Sequence, residues 1–179
     1  MKEQNADLNL IGAFALKIHD LQMAATTEVS GLSPAASACL VSLTHQVEVQ
    51  TIRDLASICG LSHSATVRVI NKLQEDEYVC RVNAEHDQRE VYVCLTIAGY
   101  KMRDKILDAR RAAIEPVFAT VSDEDRQTVS NIAGSILSAL TGSRIESEHI
   151  CRLCDAISCG GDSCPVEMKA LTLEAAALA

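Results

Sequence analysis

The chain has no tryptophan, and aromatic residues make up only 3% of its 179 residues. Its core must therefore be built from aliphatic side chains and alanine, which favours packed helices. It also lacks an apolar run long enough to cross a membrane. The N-terminal stretch MKEQNADLNL does not show the basic and then apolar pattern of a secretion signal. We therefore expect a cytoplasmic protein without a membrane partner.

An excess of positive charge is also missing, since the formal net charge is −8 at pH 7. This does not exclude nucleic-acid binding, because only the residues that face the phosphates must be basic. The sequence shows no glycine-rich phosphate loop, no flavin or nucleotide motif, and no Cys–His pair in a recognisable catalytic frame. These absences argue against an enzyme. A thiol- or iron–sulfur-based redox protein is kept as an alternative.

Residues 51–77 predict two short helices joined by a turn, which is a helix-turn-helix. Thr51 and Asp54 form an acidic variant of the capping box at the start of the first helix, and Gly60 supplies the turn. Ser62 can cap the second helix. The apolar face of that helix would pack on the scaffold, leaving small polar and basic side chains for base edges and phosphates. The predicted packing face comprises Thr66, Val69, Ile70 and Leu73.

Two β-rich runs follow, YVCRV at 78–82 and VYVCLT at 91–96, on either side of a charged segment. They predict a hairpin, so the expected fold is mainly α with a small β-wing: a winged helix-turn-helix. Cys80 and Cys94 are equidistant from Asp87, and a hairpin centred there would place them opposite each other. A reversible disulfide across the wing is therefore one hypothesis for a redox switch.

Several of these features resemble the multiple-antibiotic-resistance regulator (MarR) family, over roughly residues 8–141. The likeness rests on D-Q-R at 87–89, on L-T-I-A-G at 95–99, and on the evenly spaced core positions Val67, Leu73 and Val79, with Arg81 just after them. Family members usually have glycine before the first wing strand, where this chain has Glu77. Because a residue with a side chain is disfavoured in a left-handed turn, we expect the turn to differ slightly there.

The motif order and the resemblance together predict the residues that contact DNA. Arg68 could donate two hydrogen bonds to guanine, and Ser64 could contact a base edge or a phosphate. Arg89 would enter the minor groove, with Asp87 holding it by a charge-assisted hydrogen bond. The alternative for these two is an ordinary surface ion pair. The predicted contact set is Arg53, Ser62, His63, Ser64, Thr66, Arg68, Asn71, Lys72, Asp87 and Arg89.

Further helices are predicted outside this unit, over 8–26, from Ser33-Pro34, over 97–119 and from Ser122 onward. Apolar stripes lie on the first and last of them: Leu8, Ile11, Ala15 and Ile18, then Val129, Ile132, Ala133, Ile136, Leu137 and Leu140. The resemblance implies that such terminal helices form a homodimer, which would match a pseudo-palindromic DNA site. The alternative is that the stripes close a monomeric core.

The last part of the chain contains the run CRLCDAISCGGDSCP, in which four cysteines have the spacing C-x2-C-x4-C-x4-C. Four thiolates can complete a closed tetrahedral zinc site or hold an iron–sulfur cluster, and the final Cys-Pro is typical of some cluster motifs. The spacing matches neither pattern fully, and a tail without metal is a third possibility. The candidate ligands are Cys151, Cys154, Cys159 and Cys164, with His149 as a substitute.

Four other cysteines are scattered, and of these Cys39 and Cys59 are predicted to be small core residues. The predicted organisation is an N-terminal dimerisation helix (1–30), a DNA-binding winged helix (31–99), C-terminal dimerisation helices (100–142) and a Cys-rich tail (143–179). The resemblance implies a DNA-binding regulator, most often a repressor, that responds to a small-molecule effector. The tail could instead be its metal or redox sensor, acting through the dimer helices. A further alternative is an interaction adaptor with a degenerate winged helix.

Overall fold

The computed structural model describes residues 2–43, 50–83, 91–160 and 163–178. The predicted DNA contacts Asp87 and Arg89 lie outside these ranges. The helices are α1 (Lys2–Ser30), α2 (Pro34–Ser42), α3 (Ile52–Cys59), α4 (His63–Glu75), α5 (Ile97–Phe118), α6 (Asp123–Ala139), α7 (Arg144–Cys151), α8 (Ala156–Cys159) and α9 (Pro165–Ala177). The strands are β1 (Gln50–Thr51), β2 (Val79–Asn83) and β3 (Val91–Leu95). Within the described ranges, no helix is long and apolar enough to span a membrane.

Hydroxyl side chains begin most of the helices, as the sequence predicts. Each accepts a hydrogen bond from a backbone N–H in the first turn, which satisfies a group that has no partner inside the helix. The caps of α2 to α6 are Ser33, Thr51, Ser62, Thr96 and Ser122. At α3 the capping box is complete, because Thr51 N also donates to the Asp54 carboxylate at 2.8 Å. The helix-turn-helix prediction is thereby confirmed in its local detail.

The three strands form one antiparallel sheet in the order β1-β3-β2. In its register Cys80 is the partner of Cys94, which confirms that the two cysteines lie opposite each other in the wing. Both thiols are free in this structure, and a disulfide between them stays a prediction. The strand β1 was not predicted, because two residues are too few to show an alternating pattern.

The core lies between the helix-turn-helix, the wing and α5. The largest of its fully buried aliphatic side chains are Leu40, Leu55, Ile58, Ile70, Leu73 and Ile106. Two of the three core positions expected from the family likeness, Leu73 and Val79, are buried, whereas Val67 is only half-buried. Because one face of α4 is buried, its opposite face points to solvent. That exposed face carries most of the predicted DNA contacts.

Glu77 has a φ of 61°, so it adopts the left-handed conformation that the family usually assigns to glycine. The slight change of turn expected from the family likeness stays a prediction. Glu77 nevertheless holds the left-handed conformation despite the backbone strain that its Cβ adds. The reason is that the surrounding bonds define this turn, with Tyr78 N donating to Leu73 O at 2.8 Å and the Thr96 hydroxyl donating to Glu77 O at 2.6 Å. These bonds hold the backbone whichever residue occupies position 77.

We expect Glu77→Gly to raise the free energy of unfolding by about 1 kcal/mol, because a left-handed residue with a Cβ costs roughly 1–2 kcal/mol and glycine's extra entropy offsets part of the gain. Urea denaturation at matched protein concentration would measure it. The matched control is Glu75→Gly in the last turn of α4, which should lower stability by about 0.5–1 kcal/mol. A loss of stability in both variants would contradict this account.

Three helices, α7, α8 and α9, lie in the Cys-rich tail. Helix α7 packs on α3, and α9 packs on α6 and α7. The Arg144 guanidinium joins the tail helices, since it donates to Glu174 at 2.7 and 2.8 Å and to Glu167 at 2.7 Å. The tail is thus folded against the helix-turn-helix and the last helix of the body.

Candidate nucleic-acid interface and cysteine-rich tail

The exposed face of α4 carries most of the predicted DNA contacts. Ser62, His63, Ser64, Arg68, Asn71 and Lys72 are all exposed, and so is Arg53 on α3. Thr66 is the exception: it is 0% exposed, and its hydroxyl donates to Ser62 O at 3.0 Å. Its place in the predicted contact set is therefore wrong, because threonine at this position faces the core of the helix pair. The structure instead confirms Thr66 as part of the predicted packing face of α4.

The N-terminus of α4 faces solvent, because Ser62, His63 and Ser64 are exposed there. Ser62 Oγ accepts from Ala65 N at 3.2 Å and lies 3.3 Å from Ser64 Oγ. The Ser62 hydroxyl is thus first a helix cap, with Ser64 beside it. A helix N-terminus carries partial positive charge and N–H donors, so this end can receive a phosphate although the protein is acidic overall.

Arg81 on β2 connects the wing to α4. Its guanidinium donates to Gln74 Oε1 at 2.6 Å and to Asn71 Oδ1 at 2.7 Å. The side-chain oxygen of Asn71 therefore holds the wing strand, and Asn71 has a structural task besides its predicted contact with DNA. The sequence does not predict the contact between Arg81 and Asn71, because two residues ten positions apart show no local pattern.

Charge along α4 is distributed unevenly. Lys72 Nζ lies 2.9 Å from Asp76 and 3.9 Å from Glu75, and the hydrogen bond to Asp76 raises the pKa of Lys72. The acidic residues at the end of the helix therefore gather around Lys72. Arg68 is exposed one turn earlier and closer to the positive N-terminus. Of the two basic side chains, Arg68 is thus the better placed to contact DNA.

The C-x2-C part of the tail forms a tight turn at the end of α7, in which Cys154 N donates to Cys151 O at 2.7 Å. The two residues inside this turn are held by the body of the protein. Ser42 Oγ donates to Arg152 O at 3.3 Å, and Arg110 Nη1 donates to Leu153 O at 2.6 Å. The Leu153 side chain packs against the main hydrophobic core.

The four tail cysteines lie near one another and influence one another's ionisation. A hydrogen bond from Cys151, together with Arg110 and Arg152, lowers the pKa of Cys154 to about 6. The same hydrogen bond, burial and the three other tail thiols raise the pKa of Cys151. One thiolate shared by this pair is therefore available near neutral pH.

The other two tail cysteines lie at helix ends. Cys159 is the last residue of α8, which Gly160 ends with a φ of 64°, and Cys164 is the N-cap residue of α9. In the part of the chain that the structure describes, no group of three or more His, Cys, Asp or Glu side chains is already arranged as a metal site. His149 is directed elsewhere, since its Nδ1 lies 2.7 Å from Ile58 O at the end of α3.

Sequence reasoning missed a contact between two scattered cysteines. Cys39 Sγ lies 3.5 Å from Cys59 Sγ, so the end of α3 touches α2 through a pair of thiols. The hydrogen bond from Cys39 lowers the pKa of Cys59, and together with burial it raises the pKa of Cys39. Cys39 is fully buried and Cys59 packs against the core, which confirms that both are core residues.

The helix-turn-helix followed by a hairpin defines a winged-helix protein. Residues 30–90 match the model of the MarR family. The match covers about a third of the chain, and it agrees with the family resemblance noted in the sequence. Proteins of this family are transcriptional regulators rather than enzymes.

Individual proteins are similar over different parts of the chain. An uncharacterised HTH-type transcriptional regulator, YwhA of Bacillus subtilis (strain 168), is 27% identical over 78 residues, which are 44% of this chain and 56% of YwhA. The chain thus spans just over half the length of that curated relative. Sco3205 of Streptomyces coelicolor, a MarR family transcriptional regulator solved in complex with DNA, matches with a TM-score of 0.62 at 18% identity, over 78% of this chain and 89% of that one.

A second solved structure is CouR of Rhodococcus jostii RHA1 bound to p-coumaroyl-CoA. It matches with a TM-score of 0.55 at 24% identity, over 70% of this chain and 90% of that one. At these identities the structural matches establish the winged-helix fold.

Proposed function

We propose that this chain is a sequence-specific, DNA-binding transcriptional regulator that acts as a homodimer. The observation that carries the proposal is the division of α4 into a buried face, with Thr66, Ile70 and Leu73, and an exposed face of serine, histidine and arginine side chains. A helix of this kind can enter a major groove, where its N-terminal residues contact base edges. The DNA complex of Sco3205 supports the same use of the fold.

In this proposal the exposed residues have different tasks. Arg68 contacts a guanine, because its planar guanidinium can donate to O6 and N7 together. Ser62, Ser64 and the backbone at the start of α4 contact a phosphate and set the register of the helix. Arg81 keeps the wing strand against α4 through Asn71 and Gln74, so that the wing and α4 approach the DNA as one unit.

The proposed dimer rests on two apolar surfaces. No residue of α6 is buried, and this helix is described along its whole length. Its exposed aliphatic side chains are Val129, Ile132, Ile136 and Leu137, followed by Leu140 at its C-cap. Helix α1 exposes Leu8, Leu10, Ile11, Phe14 and Leu16. Burying such side chains contributes roughly 1.5–3 kcal/mol each, so these surfaces can hold two chains together.

We further propose that the regulator is a repressor whose operator affinity falls when an effector binds. An effector acts by favouring one spacing of the two α4 helices over the other. The p-coumaroyl-CoA complex of CouR supports a small molecule in this role. The tail offers a different signal, because the loss of a metal bound by its cysteines would loosen a segment that contacts the helix-turn-helix.

Arg68→Ala should weaken binding to the cognate operator by about 1–3 kcal/mol, or roughly 5- to 150-fold, because a bidentate guanine contact is lost. The operator would first be selected from random duplexes, and affinity then measured by fluorescence anisotropy at a fixed salt concentration.

The matched control is Arg111→Ala, which removes an exposed arginine that pairs with Asp108 on α5 at 2.7 Å. Its operator affinity should stay within about twofold of the wild type, because surface ion pairs contribute little. Equal weakening by both substitutions would mean that only overall charge matters. Unchanged binding in Arg68→Ala would exclude Arg68 from base recognition.

A further inference from the structure

We propose that Cys151, Cys154, Cys159 and Cys164 bind one thiolate-ligated metal centre, a zinc ion or an iron–sulfur cluster, that fastens the tail to the scaffold of the helix-turn-helix. The residues of the tail alone support this metal site, which does not depend on the proposed function. Only its consequence for DNA binding rests on that function, because the tail contacts α2 and α3.

The donor set is the first argument. Four cysteines lie within one short segment, with the spacing C-x2-C-x4-C-x4-C. Four thiolates leave no open coordination position, which is typical of a structural zinc site and also suits an iron–sulfur cluster.

The protein body positions the first pair of ligands, Cys151 and Cys154. The two carbonyl groups between Cys151 and Cys154 are held by Ser42 on α2 and Arg110 on α5. Leu153, inside the same turn, packs against the core. A C-x2-C turn anchored at three points presents its two sulfurs at a defined place, which lowers the entropy lost when a metal is bound.

The second pair of ligands comes from helix ends. Cys159 ends α8, and Cys164 precedes Pro165 at the start of α9, where the helix dipole favours a negatively charged thiolate. Helix α8 itself is capped by Asp155, whose carboxylate lies 3.9 Å from the Arg103 guanidinium of α5. Two helices that are anchored separately would thus each supply one sulfur.

Electrostatics supports the same site. A metal with four thiolates carries net negative charge, and two arginines can offset it. Arg152 lies inside the turn between Cys151 and Cys154, and Arg110 donates to Leu153 O at 2.6 Å. Each thiol releases its proton to solvent as its sulfur bonds to the metal, so binding involves no change of oxidation state at the cysteines. The side chains are not already in a coordinating arrangement within the described residues, so binding would draw Cys159 and Cys164 towards the anchored pair.

The consequence concerns α3, the first helix of the helix-turn-helix. Helix α7, which ends at Cys151, packs on α3, and the His149 imidazole lies 2.7 Å from Ile58 O. That carbonyl is in the last turn of α3, next to the turn at Gly60 that leads into α4. Loss of the metal would therefore loosen the packing of α7 on α3, close to the helix that contacts DNA.

The test begins with the full chain purified without oxygen, with zinc, iron and acid-labile sulfide measured per chain. We expect stoichiometric zinc, or iron together with sulfide, and a visible absorption band only in the second case. The double variant Cys151→Ser with Cys154→Ser should contain at least about tenfold less metal per chain than the wild type, since half of the ligands are gone. The matched control, Cys80→Ser with Cys94→Ser, should retain it. Equal metal content in both double variants, or none in the wild type, would overturn the proposal.

A second measurement keeps the test decisive if the tail variant does not fold. In the wild-type chain, alkylation followed by mass spectrometry should show the four tail cysteines protected with metal and modified after chelation, whereas Cys80 and Cys94 react equally in both states. A disulfide between Cys151 and Cys154 in place of metal would overturn the site.

Hydrogen exchange of α3 should accelerate on metal removal, and no change there would overturn the fastening role. A metal-loaded chain that binds no duplex would refute the proposed function alone.

Discussion

Replacement of Ile132 and Ile136 by aspartate should convert the protein from a dimer to a monomer and reduce its affinity for a palindromic operator by at least about 100-fold. The two side chains are 54% and 53% exposed on α6, in the middle of its apolar face. Two carboxylates in that position would have to be buried without partners if the dimer formed, which costs several kcal/mol each. A monomer retains one α4 helix and so loses the linked second half-site.

Sedimentation velocity would measure the assembly state, and anisotropy with a full and a half operator would measure DNA binding. A matched control adds the same charge elsewhere: Ile157→Asp with Leu178→Asp, at positions 81% and 90% exposed in the tail. This control should remain dimeric and bind the full operator normally. If the α6 variant also stays dimeric, the apolar face of α6 is not the interface. If the wild type is itself a monomer, the homodimer proposal fails.

Gly99→Ala should lower the free energy of unfolding by about 3 kcal/mol or more, which exceeds the usual cost of an overpacked site. A Cβ at position 99 would lie 2.0 Å from the backbone oxygen of Tyr78 and 3.0 Å from its carbonyl carbon. Neither segment can move freely, because Thr96 N donates to that same oxygen at 3.0 Å and Thr96 caps α5. The clash would separate the start of α5 from the turn that precedes β2.

The neighbouring substitution Ala98→Ser is the matched control, since Ala98 is exposed in the same turn of α5 and also gains one heavy atom. Its effect should stay within about 0.5 kcal/mol, as is usual for surface positions. Urea denaturation monitored by circular dichroism would measure both variants at equal concentration. If Gly99→Ala is as stable as the wild type, α5 and the backbone of Tyr78 can move apart at little cost in free energy. The glycine of the L-T-I-A-G motif is then not needed for packing.

Several features of the fold were predictable because their cause is local. The caps at Thr51 and Ser62 depend on hydrogen bonds to residues three positions away, so the sequence alone reveals them. The pairing of Cys80 with Cys94 follows from the symmetry of a hairpin about its tip. The candidate site was predictable to the same degree, since helical periodicity places Arg68 opposite the packing face. The four tail cysteines that we propose as metal ligands were likewise singled out by their spacing.

The tertiary structure decided what depends on residues far apart in the chain. It buried Thr66, joined Arg81 to Asn71, and brought Cys39 against Cys59. It also placed the tail on α3 and α5 and not only beside the last helix, so that a tail expected to act through the dimer helices contacts the helix-turn-helix directly. Capping and periodicity are properties of a few adjacent residues. Burial and long-range hydrogen bonds arise only when the whole chain packs, because each depends on which distant surface arrives opposite.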